Sequence, residues 1–242
     1  MRSQSSKRGL IWAIIGGLVL LVGLAALIIT SLGRTNDPGT IPAPTAASTR
    51  PSPNASIEDA AMVDEAATDR GWVPEPITRN AETYVRAALA AGGTFDTTRA
   101  AYEEWIEFLG TWFTPDTRYA SEADQQAELL AAKLEMRQTV VLPESQWNSL
   151  ASEDGRVASV VTGDVVFSPV PQDESGEMTI GTAGVTITFT RADGSDGEMS
   201  YEEMTRLSVQ VLCGAGSVPT PDSMQAAGDC KVVRFFSEPV EP

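Results

Sequence analysis

An uncharged segment near the N-terminus constrains this chain more than any other feature. Residues 11–32 are 22 consecutive residues without Asp, Glu, Lys or Arg, and as a helix they would extend about 33 Å. That length crosses the hydrocarbon core of a bilayer, which is about 30 Å thick. Arg2, Lys7 and Arg8 precede the segment, so the positive-inside rule keeps residues 1–10 in the cytoplasm. The sequence therefore predicts a single-pass protein of the cell membrane, with its C-terminal part extracytoplasmic.

A cleaved signal peptide is the alternative to this anchor, but its apolar region usually spans only about 7 to 15 residues. Residues 33–71 are typical of a flexible tether, because five prolines stand there among Ala, Ser, Thr and Asn. Such a composition buries too little apolar surface to offset the entropy of the chain. Within the tether, residues 57–70 are compatible with a short helix capped by Ser56, but their apolar content is mostly alanine, which favours a solvated linker. The folded domain is expected to cover residues 72–238.

Three amphipathic helices are predicted at the start of this domain. The first is expected to begin at about Asn80. The N-terminal caps of the other two are expected at Asp96 or Thr97, and at Ser121 with Asp124 three residues on. The second helix has one apolar face, formed by Tyr102, Trp105, Ile106 and Leu109. Glu103 and Glu107 lie on its other side, and we expect them to face a protein partner.

The third helix runs to about Met136 and carries Leu129, Leu130 and Leu134 as apolar residues.

Alternating apolar and polar residues are predicted to replace the helical period after Pro143. The predicted strands cover residues 157–167, 178–190, 198–213 and 232–236. Helices followed by four consecutive strands favour an α+β fold, with the helices on one face of a bent four-stranded antiparallel sheet. We expect the second helix to pack against the sheet and to leave no ionisable group placed for catalysis inside. The sheet residues of this core are expected to be Val185, Ile187, Phe189, Leu207 and Val209.

The two cysteines of the chain flank one loop. Cys213 ends the third predicted strand and Cys230 comes just before the fourth, so residues 214–229 lie between them. Two cysteines outside the cytoplasm, at facing ends of adjacent strands, favour a disulfide. A redox-active thiol pair is the alternative, although such pairs usually stand two residues apart beside a helix N-terminus.

Composition excludes several classes of chemistry. The chain has no histidine, which excludes imidazole-based catalysis, and its two cysteines are too few for a four-thiolate metal site. We therefore expect no catalytic residue, no cofactor and no metal site. After residue 34 the chain carries 13 basic and 33 acidic residues, a net charge of −20. Phosphate backbones repel such a surface, so we expect protein partners and no direct contact with nucleic acid.

The order of these segments resembles the TcpC-like family, the bitopic scaffold subunits of conjugation and type IV secretion machines. The resemblance rests on the anchor, the proline-rich tether, helices such as AAYEEWIEFL at residues 100–109, and the strands that follow. It implies an extracytoplasmic domain of the nuclear transport factor 2-like fold and a non-enzymatic scaffold role, and it offers no catalytic residue. The implied partners are other membrane or envelope proteins of the machine and further copies of this chain.

Two further functions fit the same sequence. Its architecture is also similar to membrane-anchored proteins associated with actinobacterial lipid uptake, which implies an accessory role in such a system. A bent sheet covered by helices also encloses a cone in which an apolar ligand binds, so an extracytoplasmic small-ligand-binding domain is another hypothesis.

Overall fold

Five antiparallel strands in the order β1-β2-β3-β4-β5 form one sheet in the computed structural model, which describes residues 61–195 and 197–240. Register shifts interrupt the pairing between Thr162 and Val166 in β2 and between Gln210 and Val211 in β4. Bulges of this kind bend a strand, and the sheet is curled. The predicted α+β class is confirmed. The strands are β1 (Phe95–Asp96), β2 (Arg156–Pro169), β3 (Met178–Ala192), β4 (Glu198–Leu212) and β5 (Lys231–Phe236).

The prediction of four strands is wrong by one. β1 has only two residues, which pair with Val157 and Arg156 of β2. Two residues are too few to show an alternating pattern, so only the tertiary pairing defines this strand. The other four strands begin and end within two residues of the predicted positions.

Within the described residues, four α-helices accompany the sheet: α1 (Ala81–Ala91), α2 (Tyr102–Thr111), α3 (Glu122–Glu135) and α4 (Glu144–Ala151). The predicted cap of α3 is confirmed, and Asn80, where the predicted first helix begins, caps α1. The Asn80 side chain accepts the Thr83 N–H at 2.9 Å, and the Ser121 hydroxyl accepts the Asp124 N–H at 3.1 Å. Side-chain oxygens at these positions satisfy N–H groups that have no partner inside the helix.

The predicted start of α2 at Asp96 or Thr97 is wrong. Asp96 belongs to β1, and its carboxylate accepts the Thr98 N–H at 2.9 Å in a local turn. The helix begins five residues later, where Glu104 turns back and accepts the Ala101 N–H at 2.8 Å. An Asp side chain stabilises such a turn as well as it caps a helix, so the sequence pattern did not distinguish the two.

The helix α4 follows Pro143, where we predicted a direct change to alternating strands. That prediction is wrong for residues 144–151, because Pro143 stands at the N-cap of a short helix. Of the eight residues in α4, only Trp147 is buried. A single buried residue defines no helical period, so the pattern was not visible in the sequence.

The core lies between the helices and the concave face of the sheet. As predicted, the apolar face of α2 is buried there, together with Val185 and Val209 of the sheet. The Trp105 ring lies 4.7 Å from the Phe95 ring, so the short strand β1 also contributes to the core. The other predicted sheet residues are only partly buried against this core: Ile187, Phe189 and Leu207.

Residues 61–71, which we assigned to the tether, pack against the domain. The Val63 N–H donates to the Glu75 carbonyl at 2.9 Å, and a 3-10 helix, Glu65–Arg70, follows with Asp64 as its cap. Gly71 ends this helix with a φ of 75°, a conformation that favours glycine. These hydrogen bonds join residues that composition assigns to the tether with residues of the folded domain. The packed domain therefore includes residues 61–71, whereas the composition of the sequence places its start at residue 72.

The predicted cytoplasmic tail and membrane helix lie outside the described residues, as do residues 33–60 of the tether. Within residues 61–195 and 197–240, no helix has the length and apolar character needed to cross a bilayer.

Candidate protein interface

The two glutamates predicted to face a partner lie on the exposed side of α2, but their surroundings differ. Glu103 forms an ion pair with Arg137, whose Nη1 lies 3.0 Å from the Glu103 carboxylate. The Arg137 guanidinium also lies 5.8 Å from the centre of the Tyr102 ring. The ion pair therefore connects Glu103 to the π-helical turn that follows α3, Met136–Val140. An exposed pair of this kind contributes little to stability.

Glu107 lies on a ridge between two grooves. The first, here called the helix groove, has a volume of about 510 Å³ between α2 and α3. The second, here called the loop groove, has a volume of about 450 Å³ between α2, the 3-10 helix and residues 220–223. Within the described residues, no basic side chain forms an ion pair with the Glu107 carboxylate. Glu107 is therefore the better candidate of the two for contact with another protein.

Two leucines on α3 project beside the helix groove. Leu130 is 67% exposed and Leu134 is 53% exposed, one helical turn apart, and Leu134 lines the groove. The sequence placed both in the apolar set of this helix, but the structure buries Met136 and only partly buries Leu129. Contiguous exposed apolar side chains rimmed by charged residues mark interaction surfaces on soluble domains.

The helix groove carries charges of both signs at its rim. Glu107 lies on the α2 side, and Lys133 and Arg137 lie on the α3 side. Burial lowers the pKa of the Lys133 ammonium group. The surface formed by Leu130, Leu134 and the helix groove, here called the α3 surface, therefore combines an apolar centre with a polar rim, which is the arrangement found in protein interfaces.

Behind the loop groove lies an ion pair that we did not predict. Lys231 and Glu75 are each 1% exposed, and Lys231 Nζ donates to Glu75 Oε1 at 2.8 Å. The sequence predicts that no ionisable group inside the domain is placed for catalysis, and this enclosed pair was not part of the predicted core. Lys231 Nζ also donates to the Thr111 carbonyl at 2.8 Å and to the Thr220 hydroxyl at 2.7 Å, so its N–H groups are satisfied.

Two further side chains donate hydrogen bonds to Glu75 Oε1, and together with Lys231 they form a buried network around this oxygen. The Tyr84 hydroxyl donates to it at 2.6 Å, and Gln225 Nε2 donates to it at 3.1 Å. Burial, followed by the neighbouring Glu75, raises the pKa of the Tyr84 hydroxyl well above its ordinary value. Burial lowers the pKa of Lys231, and Glu75 opposes that change.

The network joins four parts of the chain and is closed to substrates. Glu75 comes from the segment before α1, Tyr84 from α1, Gln225 from the loop between β4 and β5, and Lys231 from β5. Because the central pair is enclosed, its geometry fits the positioning of the loop and not a reaction with a substrate. No sequence pattern linked Glu75 to Lys231, since the two residues are 156 positions apart.

The structure contains a disulfide between Cys213 and Cys230, the pair that we expected. Cys230 is fully buried, and its N–H donates to the Thr78 carbonyl at 2.8 Å. The disulfide therefore closes the 214–229 loop directly beside Lys231. Within the described residues, no group of three or more acidic, cysteine or histidine side chains has the spacing of a metal site.

Comparison with known proteins gives three similar solved structures. No family model matches the sequence, and no curated protein matches it. An IcmL-like type IV secretion system protein from Legionella pneumophila is 12% identical, with 65% of this chain and 88% of that chain covered and a TM-score of 0.38. CagV from Helicobacter pylori, a VirB8 homologue of a type IV secretion system, is 14% identical, with coverages of 57% and 82% and a TM-score of 0.31. A periplasmic fragment of TraM is 14% identical, with coverages of 64% and 92% and a TM-score of 0.37.

Proposed function

We propose that this chain is a non-enzymatic, membrane-anchored assembly subunit of a bacterial conjugation or type IV secretion machine. In this proposal residues 11–32 hold the protein in the membrane, and the described domain, of the nuclear transport factor 2-like kind, acts outside the cytoplasm. Two of the similar solved structures are of type IV secretion system proteins.

The α3 surface is the observation that carries the proposal. Leu130 and Leu134 leave apolar area in contact with water beside a groove about 510 Å³ in volume. Complete burial of a leucine side chain contributes about 1.5 to 3 kcal/mol, so a partner that covers both residues gains a substantial part of its binding free energy there. The partner is a protein, because the net charge of −20 after residue 34 repels nucleic acid.

Substitution of the two leucines tests this proposal. We expect Leu130→Gln with Leu134→Gln to leave the fold intact and to abolish co-purification of partner proteins from detergent-solubilised membranes. Macromolecular transfer between cells should fall together with co-purification. Glu107→Lys should weaken the same co-purification, because it reverses a charge at the rim of the interface.

A matched control uses two residues of similar exposure on the loop between β4 and β5. Val218 is 53% exposed and Met224 is 73% exposed, so Val218→Gln with Met224→Gln removes a comparable apolar area elsewhere. The control pair should retain both co-purification and transfer. Equal losses in the two pairs would contradict an interface at the α3 surface, and turnover of a substrate by the purified protein would contradict the non-enzymatic assignment.

A further inference from the structure

Ten of the 15 residues of strand β4 have a neighbouring strand on one side only. β3 pairs with β4 over its whole length, from Leu212 to Glu198, whereas β5 pairs only with its last five residues, from Ser208 to Leu212. Among the described residues, no strand pairs with the other side of residues 198–207. Residues 198–206 are all exposed. Alternate N–H and C=O groups of this segment, here called the β4 edge, therefore point to open solvent.

The end of β5 explains why this edge begins at Leu207. After Phe236, the last residue of β5, the chain leaves the sheet and crosses its outer face. There the Val240 N–H donates to the Ser208 hydroxyl at 2.9 Å, and the Val240 carbonyl accepts from Thr182 at 2.8 Å. These bonds hold residues 237–240 away from the β4 edge, which no other described segment pairs with.

Apolar side chains flank the β4 edge on both faces. Tyr201 faces the helices, because its ring stacks on Phe189 at 4.8 Å and lines a groove of about 390 Å³ beside α4. Met204 points to the outer face and is 85% exposed. An added strand would place side chains against both of these residues, since directly opposite residues in paired strands lie about 5 Å apart.

Two carboxylates stand between these apolar residues. Glu202 and Glu203 are adjacent, so alternation places them on opposite faces of the sheet. Within the described residues, neither carboxylate forms a hydrogen bond or an ion pair, whereas Glu198 of the same edge is paired with Arg156 at 2.7 Å. The edge therefore offers negative charge on both faces.

This charge decides between two kinds of added strand. In a register centred on Glu202 and Glu203, a second copy of the chain would place like charges directly opposite one another, and like charges on paired strands are destabilising. A basic strand would instead neutralise them. The same carboxylates thus repel an identical edge and attract a basic one, which is how charged edge residues give specificity.

We propose that the β4 edge binds an extended basic segment of a partner protein by addition of a sixth strand. The segment carries two adjacent Lys or Arg residues opposite Glu202 and Glu203, with apolar residues on either side opposite Tyr201 and Met204. Main-chain hydrogen bonds supply affinity, and the flanking side chains supply specificity. The inference goes beyond the proposed function and does not depend on it, because it concerns a different surface from the α3 surface.

Binding of a synthetic peptide to the full-length protein in detergent tests this inference. The probe is a fluorescently labelled octapeptide, Thr-Ser-Val-Lys-Lys-Val-Ser-Thr, and fluorescence anisotropy measures its Kd. We expect Glu202→Lys with Glu203→Lys to weaken binding by about tenfold or more, because attraction becomes repulsion at two positions. Glu174→Lys with Glu238→Lys, at two exposed positions elsewhere, makes the same change of net charge and should leave the Kd within about twofold.

Two controls separate strand addition from simple charge attraction. A peptide of the same sequence with alternate backbone nitrogens methylated keeps its charge but loses main-chain donors, and it should bind at least about tenfold more weakly. Hydrogen exchange of residues 198–207 should slow when the unmodified peptide binds. Equal binding of the methylated peptide, unchanged binding by the Glu202 and Glu203 variant, or protection confined to another surface would each overturn the proposal. Self-association of the protein through residues 198–207 would overturn it in favour of a second copy.

Discussion

Glu75 and Lys231 show how single residues connect distant parts of this domain. They are separated by 156 positions and yet form an ion pair whose two side chains are 1% exposed. Removing two charges from water is costly, and their mutual attraction only partly offsets that cost. The pair therefore acts less as a source of net stability than as a constraint, because either charge alone would be buried without a counter-charge. It specifies how the loop between β4 and β5 docks against α1.

We predict that Lys231→Met lowers the free energy of unfolding by about 3 to 5 kcal/mol, because it leaves Glu75 buried and uncompensated. Chemical denaturation at equilibrium measures the change. Adding Glu75→Met to this variant should recover a large part of the loss, since the double change removes both charges together. Lys133→Met is the matched control, because Lys133 is only half-buried, and its effect should be much smaller. A double variant no more stable than Lys231→Met would contradict this account.

At the scale of elements, the disulfide and the network act on the same loop. Cys213 follows the end of β4 and Cys230 directly precedes β5, so the bond fixes the two ends of residues 214–229. The network then fixes the middle of the loop through Thr220 and Gln225. The loop in turn forms one wall of the loop groove beside α2. Its conformation therefore shapes the surface next to Glu107.

We predict that Cys213→Ala with Cys230→Ala lowers the free energy of unfolding by about 3 kcal/mol, because the unfolded chain regains the entropy that this closed loop removes. Thermal or chemical denaturation measures the loss. Reducing agent provides the control, since the native protein under reducing conditions should approach the stability of the double variant. Recovery of both cysteines as free thiols in non-reducing peptide mapping of the native protein would contradict the prediction.

At the scale of the whole molecule, charge and polarity divide the chain into unlike parts. The first 34 residues contain four basic residues and no acidic residue, whereas the rest carries a net charge of −20. A basic flank before an uncharged segment favours retention of the N-terminus in the cytoplasm. The acidic remainder resists non-specific contact with anionic lipids and nucleic acid. This division agrees with a domain that acts through selective protein contacts outside the cytoplasm.

We predict that a cysteine introduced at Ser237 reacts with a membrane-impermeant thiol reagent in intact cells, while one introduced at Ser3 does not. Ser237 is exposed in the structure, so its thiol is accessible wherever the domain faces the outside. The native cysteines are joined to each other and give no background. Permeabilised cells are the control, in which both sites should react. The opposite labelling pattern in intact cells would contradict the orientation.

Local patterns in the sequence were sufficient for much of this fold. The start of α1 at Asn80, the cap at Ser121, the four long strands and the apolar face of α2 all depend on residues within a few positions of one another. Such features follow from the helical and strand periods, which act over short distances along the chain. The ends of two adjacent strands also bring Cys213 and Cys230 together, so their pairing was accessible from the sequence. The α+β class follows from the same order of elements.

Only the tertiary structure decided the features that depend on distant partners. β1 exists because β2 lies beside it, and residues 61–71 are packed because they bond to the segment around Glu75. The Glu75–Lys231 pair joins positions that no local period relates. The β4 edge is open because β5 ends at Phe236, which is a property of another strand. Exposure of Leu134 likewise depends on which helix faces are covered. Burial and pairing are set by contacts across the whole chain, whereas the sequence pattern reports only local preference.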